Sequence, residues 1–216
     1  MDLDKRNPFN RLIIRNEGYD VTKRGTFTNE QLKQGYHKAI ASGSQVKLLM
    51  PLLGETGCRL AEIVGLELQD IDMENELIHI RPNLIRRLKR RNSERTLPLV
   101  GYAKIAMKLA LDQADDRYLY SRYLKDGTCR ATHASAAVGK WLKKDFGLTA
   151  HSLRHTLRNR LRVTGCPLEL IDQIGGWSSI GTIGSKYGQG YELDAVRDYL
   201  NFTRITRCLN SSDPHV

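Results

Sequence analysis

The sequence predicts an α+β chain that is mostly helical and carries one small antiparallel β-sheet. Apolar residues recur at helical spacing through most segments, as Leu153, Leu157 and Leu161 do. Between Gly65 and Val100 the pattern changes to strand period in three short runs, LELQDID, ELIHIRP and RTLPLV, separated by the polar turns MEN and RRNSE. A length of 216 residues suffices for one domain of good size, or two small ones, with a real core.

Residues 1–25 are polar and irregular. Thr28 followed by Gln31 reads as a capping box that opens a helix through about Ala41, with Leu32 and Tyr36 as its apolar contacts. Ser44 can cap a second helix, QVKLLMPLLGE, whose near-continuous apolar run predicts the centre of the core; Pro51 inside it implies a kink or a boundary. Gly57 allows a tight corner, after which RLAEIVGL forms a short helix with Leu60, Ile63 and Val64 facing inward. Beyond the sheet, YAKIAMKLALDQ is an amphipathic helix, DDRYLYSRY an irregular or extended piece, and ASAAVGKWLKKDF a helix with Trp141 in the core. Tyr118, Tyr120 and Tyr123 read as packing or phosphate contacts. The helix that starts at His151 ends at Gly165, and Pro167 opens a short one bearing Leu168, Ile171 and Ile174. The final segment, ELDAVRDYLNFTRI, reads as helical through Leu193, Val196 and Leu200.

The 34 Lys and Arg against 24 Asp and Glu leave a net charge of +10, which favours a polyanion partner, nucleic acid or an anionic membrane surface. No apolar run of about 18 residues could span a bilayer, and MDLDKRNPFNRL lacks the apolar core of a signal peptide. A soluble, cytoplasmic protein is expected. Cys58, Cys129, Cys166 and Cys208 form no C-x-x-C pair, so neither a disulfide framework nor a zinc site is suggested. Cys58, next to Arg59, is expected to pack beneath that arginine rather than to react.

The basic helix carries the candidate site. His151, Arg154, His155, Arg158 and Arg162 fall within an arc of about 100° on a helical wheel, apart from the leucines. Five such groups repel one another, so the plain reading is a solvated stripe, and a polyanion would remove the cost. An arginine offers a planar fork of donors to a phosphate, and a histidine three residues away can bond a second oxygen. Arg59 and Glu62, at i and i+3, can pair so that the carboxylate fixes the guanidinium's direction. A third basic element is the hairpin, where Arg81, Arg86, Arg87, Lys89, Arg90, Arg91 and Arg95 face the single acid Glu94. Such a tip is suited to DNA phosphates or is simply a solvated loop. Lys89 is its only lysine, and a lysine among cations can deliver a proton where arginine almost never does.

HSLRHT resembles the His-x-x-Arg-His box of the tyrosine recombinases, the phage-type integrases. TGCRLAE, Thr56 to Glu62, is similar to that family's Thr-Gly-x-Arg-x-x-Glu box, and Trp177 lies 187 − 177 = 10 residues before Tyr187, the family distance to the nucleophile. Tyr191 competes but lies 191 − 177 = 14 residues away. In LKRRNSERTLPL, Lys89 stands 98 − 89 = 9 positions before Pro98, at the family's lysine position.

The resemblance implies the tyrosine recombinase catalytic-domain fold over residues 26–208, with a linker at 1–25 and a tail at 209–216. By that comparison the chain begins where an N-terminal DNA-binding domain would lead in, so it is either a fragment or naturally short. The implied catalytic residues are Arg59, Lys89, His151, Arg154, Trp177 and Tyr187, supported by Glu62 and His155, with Arg86, Arg87, Arg90, Arg91 and Arg158 on DNA. The implied reaction attacks a phosphodiester with tyrosine, stores the bond as a 3′-phosphotyrosyl ester and rejoins the strand without ATP, metal or other cofactor. Double-stranded attachment sites, a tetramer on DNA and accessory DNA-bending proteins are the implied partners, in a bacterial or phage-infected cell carrying a phage or mobile element. The helix after the nucleophile could dock on a neighbouring protomer. Two other readings stay open: a non-catalytic helix-turn-helix-like DNA-binding module over residues 151–175, and a strand-passing enzyme like the type IB topoisomerases.

Overall fold

The computed structural model describes residues 25–88, 93–114, 117–177 and 190–205. Eight helices surround one core among them, with a three-stranded antiparallel sheet and a small β-hairpin at its side.

α1 (Asn29–Ser42) starts as the sequence predicts. The Thr28 hydroxyl accepts from the Gln31 amide at 3.2 Å, and the Gln31 side chain accepts from the Thr28 amide at 3.0 Å. This box is exposed, so Thr28→Ala is expected to cost only about 1 kcal/mol, read as a small fall in thermal midpoint. α2 (Gln45–Thr56) is the axle of the fold, packed against α1, α4, α5 and α6. Every residue from Leu48 to Thr56 is buried. The helix runs through Pro51 without ending there, so no boundary forms. The missing amide leaves only the Lys47 carbonyl without its helical donor.

α3 (Leu60–Val64) follows the corner at Gly57 and buries Ile63 and Val64. The strands that come next are shorter than their sequence pattern. β1 (Ile71–Asp72), β2 (Leu77–Ile80) and β3 (Arg95–Pro98) pair in that order, with Ile78 opposite Leu97 and Ile80 opposite Arg95. LELQDID is mostly not strand, because Leu68–Asp70 curl into a 3-10 turn. Two acids of this stretch are buried: Glu67 pairs with Arg117 at 3.2 Å and Asp70 with Arg81 at 2.5 Å.

α4 (Gly101–Leu111) lies on α2. The segment after it meets Glu67 by a bridge at Tyr118, then forms β4 (Leu124–Lys125) and β5 (Thr128–Cys129). α5 (Ala131–Phe146) carries Trp141 at the rim of the core and not in it, where the indole N–H can donate to Asp145 at 3.1 Å. α6 (Ala150–Val163) and α7 (Leu168–Gly175) bury Leu153, Leu157, Leu161, Leu170, Ile171 and Ile174. α8 (Leu193–Thr203) lies on its own chain's β3, with Val196 and Leu200 buried and Arg197 donating to the Asn75 carbonyl at 3.0 Å.

Candidate active site

The site forms where the starts of α3 and α6 meet the end of α7. Arg59 is the N-cap of α3, and its backbone amide donates to Glu62 Oε2 at 2.8 Å while its Nη1 donates to Glu62 Oε1 at 2.7 Å. One carboxylate therefore caps the helix and aims the guanidinium. Arg95, at the start of β3, donates to the same Glu62 Oε2 at 2.9 Å.

The end of α7 ties this pair to the basic helix. A helix C-terminus leaves its last carbonyls without amide partners and concentrates partial negative charge there. Here three consecutive carbonyls each accept from a different arginine: Ile174 from Arg95 at 2.9 Å, Gly175 from Arg154 at 3.0 Å, and Gly176 from Arg59 at 2.8 Å. Arg154 also donates to the Gly57 carbonyl, which fastens α6 to the corner before α3. Three like charges are held together by one carboxylate and a row of carbonyl dipoles.

The glycines permit this approach. Gly176 adopts φ +59° in the left-handed region, and a Cβ there would stand 2.7 Å from Arg95 Nη1. A Cβ on Gly175 would enter the Trp177 ring. With both positions bare, the chain folds Trp177 back over α6, where Arg154 lies 4.8 Å and Arg158 5.2 Å from the ring centroid. Such cation–π contacts hold flat guanidinium groups in register.

Burial is the main cause that pushes the Arg154 guanidinium down to about 10, still a cation at neutral pH. For Glu62, burial alone would raise the carboxyl, but Arg95 and the bonds from Arg59 outweigh it and hold it below the ordinary carboxylate range. Cys58 is buried, and the arginine at its sulfur is Arg95, whose Nη2 lies 3.5 Å away, where the sequence suggested Arg59; burial pushes its thiol up. A thiol in that state is a poor nucleophile.

Of the candidate residues, the structure brings together Arg59, Glu62, Arg154, Arg158 and Trp177. His151 is exposed on α6, its ring edge-on to half-buried His155 at 4.7 Å. Arg158 is turned toward Asp172, at 3.4 Å, and Trp177. Arg87 is exposed. Arg86 is a correction: its side chain is buried, Nη2 donates to the Arg81 carbonyl at 2.8 Å, and Nε lies 3.4 Å from the Gly65 carbonyl. It braces a turn instead of facing DNA. Lys89, Arg90, Arg91 and Tyr187 lie outside the described residues.

Sequence reasoning did not single out Arg95 or the carbonyl row. Strand parity could have found Arg95, because it shares a face with Leu97, which is buried. Among the described residues, no group of three or more His, Cys, Asp or Glu could hold a metal ion, and no helix is long and apolar enough to cross a membrane.

The family model that describes the phage integrases matches residues 26–194. The chain belongs to that family. Tyrosine recombinase XerC of Herpetosiphon aurantiacus is 32% identical over 151 residues, covering 65% of this chain and 46% of the relative. A probable integrase/recombinase of Methanocaldococcus jannaschii is 25% identical over 170 residues, covering 71% of this chain and 49% of the relative. This integrase-family chain thus spans about half the length of the curated relatives it matches. Among solved structures, a Tn1549 transposon integrase in complex with a circular intermediate DNA superposes with a TM-score of 0.59 at 20% identity, over 84% of this chain and 66% of that one. XerA recombinase gives 0.56 at 20% identity, over 85% and 65%. These two show a shared fold, the tyrosine recombinase catalytic domain.

Proposed function

We propose that this chain is the catalytic domain of a site-specific recombinase or integrase that cleaves and rejoins DNA through a 3′-phosphotyrosyl intermediate. The observation that carries the reading is the arginine row at the end of α7. Arg59 and Arg154 are fixed by Glu62 and three carbonyls, with the charge of the cluster only partly cancelled.

Attack on a phosphodiester accumulates negative charge on the non-bridging oxygens, and preorganised guanidinium donors stabilise it most where water is excluded. Arg59 and Arg154 hold those oxygens. Tyr187 attacks, and the same positive field favours its phenolate, which is scarce at neutral pH with an ordinary tyrosine pKa of about 10. His151 bonds the phosphate or manages the tyrosine proton, and Lys89 protonates the departing 5′ oxygen. Trp177 keeps Arg154 and Arg158 aligned. Duplex DNA at attachment sites is the substrate, and a tetramer on DNA is the working assembly. A binding-only module has no need of a buried arginine pinned to the Gly57 and Gly175 carbonyls, since groove-reading helices present their cations to solvent.

The test is trapping of a covalent protein–DNA adduct on supercoiled plasmid and on nicked candidate attachment sites, in chelator, with peptide mapping of the modified residue. An adduct on Tyr187 is expected. An adduct on Tyr191 keeps the chemistry and moves the nucleophile, whereas tight salt-sensitive binding without adduct favours the binding module. Joining of two duplexes, instead of relaxation alone, separates recombinase from topoisomerase.

A further inference from the structure

Arg95 belongs to the cluster but has no role in the chemistry above. Its Nε, Nη1 and Nη2 are all engaged, by the Ile174 carbonyl at 2.9 Å, the Ser93 carbonyl at 2.7 Å and Glu62 at 2.9 Å, and its side chain is 5% exposed. It is too enclosed to offer a fork to DNA. Its charge nonetheless lies among the groups that set the field at the phosphate.

The balance of that field turns on Glu62. The carboxylate is needed to aim Arg59, yet it subtracts one charge from the clamp. Arg59 and Arg154 with Glu62 alone would sum to 2 − 1 = +1, and with Arg95 the cluster sums to 3 − 1 = +2. A phosphodiester carries one negative charge before attack, and the fully ionised pentacoordinate arrangement carries two. Only interactions that strengthen in the transition state accelerate a reaction. A cluster of +1 matches the substrate, and a cluster of +2 matches the state to be reached.

We propose that Arg95 is a positioning and charge-balancing residue of the clamp. It cancels Glu62, so that Glu62 can orient Arg59 without weakening the positive charge presented to the transition state. This rests on the recombinase reading. Arg95 touches neither substrate nor reacting atoms in this scheme; it acts through Glu62 and the end of α7.

A double-mutant experiment separates charge balance from packing. Adduct formation on supercoiled plasmid is timed for wild type, Arg95→Met, Glu62→Gln and the double variant, alongside thermal melting and plasmid-binding affinity. Arg95→Met is expected to slow adduct formation about 100-fold with affinity within about threefold of wild type. Adding Glu62→Gln removes the uncompensated negative charge, and is expected to return about tenfold of that loss. A double variant no faster than Arg95→Met overturns the proposal, because a packing role gains nothing from a second loss.

Arg95→Lys keeps the charge without the fork and serves if Arg95→Met fails to fold. It is expected to retain at least about a tenth of the wild-type rate and to be slowed by Glu62→Gln. A loss as deep as 100-fold, or acceleration by Glu62→Gln, overturns the proposal. Absence of adduct from wild type removes the recombinase reading and this inference together, whereas wild-type adduct without the double-variant pattern removes the inference alone.

Discussion

Arg154→Ala is expected to lower covalent-adduct formation by about a thousandfold or more while the protein still folds and binds DNA. The expectation comes from the way Arg154 is held. Its guanidinium bonds the carbonyls of Gly57 and Gly175 and lies against Trp177, so its direction is set before DNA arrives. Burial lowers its pKa to about 10 without removing its charge at neutral pH. An under-solvated cation of this kind gains most from an anion whose charge is growing, which is the condition for transition-state rather than ground-state stabilisation. The alanine variant leaves two carbonyls short of a donor, at about 1–3 kcal/mol for a group that stays dry, but it also relieves a buried charge. A small change in thermal midpoint is therefore expected beside a large kinetic loss. Arg154→Lys is expected to lose about a hundredfold or more, because an ammonium cannot reproduce a planar fork across two carbonyls and a phosphate. Single-turnover adduct accumulation with affinity measured over a salt series checks both. Arg154→Lys at the wild-type rate, or a fall in affinity large enough to explain the whole loss, would remove Arg154 from the clamp.

Most of the helical framework was legible because its signals are local. Thr28 with Gln31, the glycine corner at Gly57 and the run from Leu48 to Leu53 each depend on neighbours within a turn or two. The Arg59–Glu62 pair was legible for the same reason, being three residues apart at the start of one short helix, Arg59 as its N-cap. What depended on distant chain was not. The alternation of LELQDID suggested a strand, but Leu68–Asp70 curl into a 3-10 turn, with Glu67 buried against Arg117, 50 residues on, and Asp70 against Arg81, 11 residues on. The helical wheel grouped Arg154 with exposed His151, yet Arg154 is buried, since the end of α7 supplies carbonyls that no side-chain pattern displays. Arg86 went astray similarly: a basic run reads as surface unless one knows that the Gly65 and Arg81 carbonyls wait for it. The motifs named the clamp arginines and the tryptophan; the backbone groups that hold them became visible only in the fold.

Glu62→Ala is expected to destabilise the protein by about 3–5 kcal/mol, because removing one partner of a buried ion pair strands the other. Here it strands two, Arg95 and Arg59, and takes the acceptor from the α3 cap. For a domain of this size each kcal/mol lowers the thermal midpoint by roughly 2–4 °C, so a fall of about 6–20 °C is expected. Glu62→Gln keeps one carbonyl acceptor and should fall less. The pH dependence has a defined sign. The Glu62 carboxyl is held below its ordinary value in the fold, so its contribution is fully present above the unfolded value, about pH 4.3. It is lost as pH falls through the depressed folded value. The gap in midpoint between wild type and Glu62→Gln should thus stay constant near neutrality and narrow only on acidification below about pH 4.3. Melts across that range decide the point: a gap that closes between pH 6 and 8, or an alanine variant as stable as wild type, would mean that Glu62 is not the charged strut on which Arg59 and Arg95 depend.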